Sequence, residues 1–143
     1  MRTRFITLFS IVLLCALLFS CGGIPGSVNA AKQRIRDAGF PNEITCETYA
    51  SGSRADGKIA VLLYADASSE QFLQAVLYGT EQQAEDALQT LREDELLQTE
   101  LEEGNRSLRR AGNWVLIGPE AALHAFAGEP VENNTEGSTS ADS

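Results

Sequence analysis

The chain has 143 residues, with 11 Lys and Arg against 20 Asp and Glu, giving a formal net charge of −9. Such an acidic chain lacks the clustered basic side chains that phosphate contacts need, which argues against nucleic acid as a partner. Three cysteines and one histidine offer no obvious metal centre or nucleophile–base pair.

Arg2 and Arg4 precede a mostly apolar run from Phe5 to Phe19, which ends in Leu18-Phe19-Ser20-Cys21. A positive end, an apolar middle and a small residue at the cleavage point describe a bacterial export signal. The run is shorter than the roughly 20 residues that a membrane-spanning helix needs. Its last four residues resemble the lipobox of the bacterial lipoprotein class. An aliphatic residue stands three before the cysteine, a serine directly before it, and Gly22 and Gly23 after it. The resemblance covers the leader alone. It implies cleavage between Ser20 and Cys21, a diacylglyceryl thioether on Cys21, and acyl chains such as palmitate in the outer face of the cell membrane. Two chains hold stably where one holds marginally, because each buried methylene contributes about 0.8 kcal/mol.

The expected organisation is therefore a signal peptide over 1–20, a flexible tether over 21–30, one folded domain over 31–128 and a disordered polar tail over 129–143. Loss of Arg2 and Arg4 leaves 9 basic against 20 acidic side chains, or −11 for the mature chain. Cys15 leaves with the leader and Cys21 carries the lipid, so Cys46 is the one remaining thiol and no intrachain disulfide forms. Roughly 100 residues suffice for a single core without such staples.

Ser27 is placed to cap a first helix, with Val28, Ala31, Ile35 and Ala38 along one face. Gly39, Phe40 and Pro41 then end it, with Phe40 folding back on Ile35. Alternation over Asn42–Ser51 predicts a strand in which Ile44 and Cys46 share a buried face. Lys58–Ala65 is apolar on both faces, as a covered interior strand would be. The spacing of Phe72, Leu73, Val76 and Leu77 favours a helix capped by Ser68 or Ser69 and broken at Gly79, over a strand from Phe72 to Tyr78. Val76-Leu77-Tyr78-Gly79-Thr80-Glu81 also matches Val115-Leu116-Ile117-Gly118-Pro119-Glu120, which speaks for the strand. Thr80 and Gln83 form a capping-box pattern that predicts a helix through about Leu97. A hairpin turning at Gly112-Asn113 and a last helix from Pro119 to Gly128 follow. The fold class is α+β, with a mixed or antiparallel sheet of about three to five strands packed against two to four helices.

Few residues suggest chemistry. His124 has no second histidine with which to share a metal, and reads as a partly exposed surface residue. Cys46 reads as a buried, inert thiol. The acidic run from Glu93 to Glu103 lacks the Asp, Asn and Gly alternation of a calcium loop. No cofactor motif is present. Arg106, Arg109 and Arg110, followed by Trp114, stand out in an acidic domain. Together they suggest a face for a protein partner or an envelope polyanion, against the plainer reading that they neutralise Glu100, Glu102 and Glu103. The favoured function is a lipid-anchored binding or accessory module, attached to the extracytoplasmic face of the membrane through Cys21. A small envelope hydrolase whose site forms only in three dimensions is the alternative, as is a structural envelope protein.

Overall fold

A computed structural model describes residues 23–129. Cys21, the leader and residues 130–143 lie outside them. The fold is α+β: α1 (Val28–Asp37), β1 (Asn42–Thr48), β2 (Lys58–Ala65), β3 (Phe72–Tyr78), α2 (Glu81–Arg92), α3 (Glu95–Glu103), β4 (Ser107–Ala111), β5 (Trp114–Gly118) and α4 (Glu120–Ala127). The five strands make one antiparallel sheet in the order β1-β2-β3-β5-β4.

The first helix follows its sequence signals closely. Ser27 Oγ accepts a hydrogen bond from Ala30 N at 3.1 Å, and Ala31 and Ile35 are fully buried. Gly39 turns the chain at φ +100, and Phe40 N then bonds to Ile35 O as Phe40 enters the core.

The segment before that helix is not the free tether expected of residues up to Ala30. Pro25 is buried, and its carbonyl accepts the Trp114 indole N–H at 2.9 Å. Arg34 Nη2 donates to Gly23 O at 3.0 Å.

In β1 the expected alternation fails at one residue. A bulge between Glu43 and Thr45 leaves Ile44 without a partner, so Ile44 turns outward and is 52% exposed. Cys46, opposite Leu62, is half-buried against the core rather than enclosed within it.

Phe72–Tyr78 is a strand, correcting the helix that its spacing favoured. Leu73 and Ala75 face one side of the sheet while Val76 and Tyr78 face the other, and all four are buried. A segment apolar on both faces satisfies either periodicity, so spacing alone misleads. The serines read as a helix cap lie in the β2–β3 turn instead. There the Asp66 carboxylate accepts from Ser68 Oγ, Glu70 N and Gln71 N at 3.0–3.3 Å. The apolar stripe that seemed to continue the helix belongs to α2, which Thr80 and Gln83 open with the expected capping box.

The helix expected to run through Leu97 stops at Arg92. The Asp94 carboxylate accepts from Leu97 N at 3.1 Å and caps a new helix. Two helices replace one because this side chain offers the backbone an alternative to continuation.

Helices cover both sides of the sheet. On one, α1 and α4 close a core of Ile35, Leu62, Tyr64, Leu73, Trp114, Leu116 and Phe126. On the other, α2 packs over β3, β5 and β4 through Ala84, Leu88, Val76 and Val115. Val61 and Leu63 of β2 stay half-buried on that side. The two strands of matching sequence pair with each other, Val76 opposite Val115, but because they run antiparallel their strand-to-helix junctions lie at opposite ends of the sheet.

Candidate functional site

Arg109 and Arg110 are consecutive on β4, so their side chains leave opposite faces of the sheet. Arg109 turns towards α4, where Nη2 meets Glu129 Oε1 at 2.5 Å and Nη1 lies 3.0 Å from His124 Nδ1. Arg110 turns towards α2, donating from Nε to Glu85 Oε2 at 2.8 Å and from Nη1 to Gly112 O at 2.9 Å. Arg106 sits in the α3–β4 connection. Trp114 is 1% exposed and meets Phe126 edge-on, with ring centroids 5.4 Å apart. The single face expected of Arg106, Arg109, Arg110 and Trp114 is therefore not formed. The carboxylates that Arg109 and Arg110 meet are Glu129 and Glu85, not those of α3.

His124 is half-buried. Its Nδ1 is 3.1 Å from Glu129 Oε2 and its Nε2 is 3.6 Å from Glu120 Oε1. Arg109 first, and His124 after it, hold the Glu129 carboxyl below its ordinary range. Glu129 thus belongs to the folded unit rather than to the tail. No group of three or more His, Cys, Asp or Glu side chains among the described residues is arranged to hold a metal ion.

The feature that the sequence did not disclose is a groove of about 650 Å³ on the α2/α3 side of the sheet. Val76 and Gln74 of β3 and Val115 and Ile117 of β5 form its floor. Ala87 and Leu91 of α2 and Leu97 of α3 form its wall. The break at Asp94 creates that wall. Six residues apart on one continuous helix, Leu91 and Leu97 would point in different directions, and the reversal brings them together.

Polar groups gather at one end of the groove. Asp56 accepts from Arg54 Nε at 3.2 Å and from Lys58 N at 3.1 Å, with Lys58 Nζ 3.6 Å away. The Arg54 hydrogen bond, followed by that of the Lys58 amide, lowers the Asp56 carboxyl to about 2. A carboxylate so firmly ionised is a weak proton acceptor, and neutral pH leaves it no proton to donate. Gln83 lines the same end, its Oε1 accepting from Thr80 N at 3.1 Å.

Gly57 makes that corner possible. Its φ is +78, its carbonyl accepts from Gly79 N at 3.0 Å, and a Cβ there would stand 2.4 Å from Gln83 Cδ. Gly57→Ala should therefore lose about 1–3 kcal/mol, from the left-handed backbone and from displacement of Gln83 out of its capping box. Urea unfolding followed by circular dichroism measures it. A loss below about 0.5 kcal/mol would mean the loop relaxes freely.

The electrostatic setting is one-sided. Between Glu81 and Glu103 stand Glu81, Glu85, Asp86, Glu93, Asp94, Glu95, Glu100, Glu102 and Glu103, with Arg92 as the only basic residue. The two helices that wall the groove thus surround it with negative potential. Leu96, 80% exposed, stands beside Leu97 on α3. The arrangement is a largely apolar trough whose lining includes Asp56, Asp86 and Lys58. No protein-family model, no curated protein and no solved structure matches this chain.

Proposed function

We propose that this chain is a lipid-tethered binding module on the extracytoplasmic face of a bacterial cell membrane, and that its groove receives a basic, apolar peptide segment. The observation that carries the binding half is the pairing of a largely apolar groove with the acidic excess of the two helices beside it, nine carboxylates to one arginine between Glu81 and Glu103, of which Asp86 lines the groove. Apolar side chains of the ligand would gain about 25 cal/mol for each Å² they remove from water. Its cationic groups would be drawn by the acidic helices, an attraction that salt screens over about 10 Å at 0.1 M. The groove volume lies inside the roughly 300–1,000 Å³ usual for ligand sites. The tether half rests on the lipobox at Leu18–Cys21.

Fluorescence anisotropy with labelled leucine–lysine and leucine–glutamate peptides tests the binding half on the mature chain. The leucine–lysine peptide should bind, weaken as salt rises, and lose at least tenfold in affinity with Ile117→Lys, whose circular dichroism should stay that of the wild type. Equal binding of both peptides, no binding of either, or an indifferent Ile117→Lys would sink the reading. Mass spectrometry of the membrane fraction tests the tether. It should find a diacylglyceryl-modified Cys21 at the N-terminus, and Cys21→Ser should release the protein from the membrane.

A further inference from the structure

We infer that one end of the sheet rests against the membrane, so that the tethered domain stands in a fixed orientation instead of tumbling on its anchor. The surface in question is the end carrying the β4–β5 turn, the β1–β2 loop and the β3–α2 junction, and its partner is a lipid headgroup layer. The inference rests on the reading that Cys21 carries lipid.

The described fold begins at Gly23. The Gly23 and Pro25 carbonyls are held by Arg34 and by the buried Trp114 indole, so the N-terminal segment has a fixed place. Ile24, between them, lies against the β4–β5 turn: a Cβ at Gly112 would come within 3.4 Å of Ile24 Cδ1. Cys21 precedes Gly23 by two residues, a reach of about 7 Å even when fully extended. Acyl chains on Cys21 would therefore hold this end of the domain close to the bilayer surface.

Three backbone hydrogen bonds show which other parts share that end. Tyr78 N donates to Asn113 O at 2.9 Å, Gly79 N to Gly57 O at 3.0 Å, and Tyr49 N to Ile59 O at 2.7 Å. They form a row across the sheet from the β4–β5 turn through the end of β3 to the β1–β2 loop. The side chains along this row suit an interface between lipid and water. Ile24 is 47% exposed, and the Arg54 guanidinium lies 4.7 Å from the centre of the Tyr49 ring. Aliphatic, tyrosine and arginine side chains place apolar bodies in the headgroup region while their polar ends stay hydrated.

At this end Arg54 and Lys58 stand against Asp56, Glu47 and Glu81, so the contact rests on the position of the anchor and on these amphipathic side chains rather than on net charge.

The test places a fluorescent amino acid at Ser53, in the β1–β2 loop, or at Ser68, in the opposite turn. Each protein is bound to phosphatidylcholine–phosphatidylglycerol vesicles that contain a headgroup-attached nitroxide quencher. Two forms are compared: the mature protein purified from cell membranes, and a chain beginning at Cys21 with Cys46→Ser, coupled through Cys21 to a maleimide lipid. The probe at position 53 should be quenched several-fold more than the probe at 68 in both forms. Equal quenching at the two positions in the coupled form, or stronger quenching at 68, overturns the orientation. A cell-made protein without lipid overturns the tether reading alone, because the coupled form still reports the orientation.

Discussion

Trp114→Ala should destabilise the domain by about 3–5 kcal/mol, the usual cost of emptying a large aromatic site in a core. Three observations place it in that range. The indole is 1% exposed, it packs edge-on against Phe126, and its N–H is the donor to a buried carbonyl on Pro25. Removing it opens a cavity beneath α4 and leaves the Pro25 carbonyl without its donor. Domains of this size are stable by only about 5–15 kcal/mol, so much of the total would go. A melting temperature lower by more than about 10 °C is expected. Trp114→Phe keeps most of the ring and loses the donor, and should cost about 1–3 kcal/mol. Urea titration followed by far-ultraviolet circular dichroism is the suitable probe, since Trp114 is the only tryptophan. A loss under about 1 kcal/mol for the alanine variant would show that the indole does not hold the N-terminal segment and α4 together.

Stability should also fall in alkali, with Tyr64 as a principal cause. Tyr64 is completely buried and its hydroxyl donates to Glu43 Oε2 at 2.6 Å. Burial first, and the hydrogen bond to Glu43 after it, push the phenol up to about 12 from an ordinary value of 10.0. The folded state thus binds the phenolic proton more tightly than the unfolded chain does. Its contribution is complete below about pH 10 and is lost as pH rises from there towards about 12. Two units correspond to about 3 kcal/mol. Tyr49, through Glu47, and Tyr78, through burial, are raised as well, so the decisive quantity is the difference between wild type and Tyr64→Phe. Stability measured by urea unfolding from pH 8 to 12 should decline more gently in the variant. Parallel curves would remove Tyr64 from the account. The same pair acts in the other direction in acid. Tyr64 first, and Lys32 after it, hold the Glu43 carboxyl below its ordinary value. Its contribution is present above the usual carboxylate range and lost as pH falls through and below it.

Local signals were legible wherever a side chain acts on its own backbone. Ser27, Gly39 and the Thr80–Gln83 box each behave as their spacing indicates, because a cap needs only three or four neighbouring residues. The opposite directions of Arg109 and Arg110 were equally open to sequence reasoning, since adjacent strand residues must face apart. What the sequence obscured depends on contacts between distant segments. Phe72–Tyr78 is apolar on both faces because it lies near the centre of a sheet covered on both sides, and that burial hides its period. The outward turn of Ile44 follows from a bulge in the pairing with β2, which no property of β1 alone announces. The docking of Pro25 requires a tryptophan 89 residues away. The groove draws on β3, β5, α2 and α3 at once, so no single stretch of chain carries its outline.

The strand order also sets when the molecule can exist. β1, β2 and β3 follow one another and pair as neighbours, as do β4 and β5, but the seam between β3 and β5 joins Val76 to Val115. A growing chain that has reached only α3 has nothing to lay along the outer edge of β3. It also lacks the tryptophan that fixes Pro25 and the helix that carries Phe126. Closing a long loop must precede the reward of its contacts, so assembly of the sheet waits for its last third. Until residue 118 is available, the sheet can be no more than the β1–β2–β3 meander, with the outer edge of β3 unpaired.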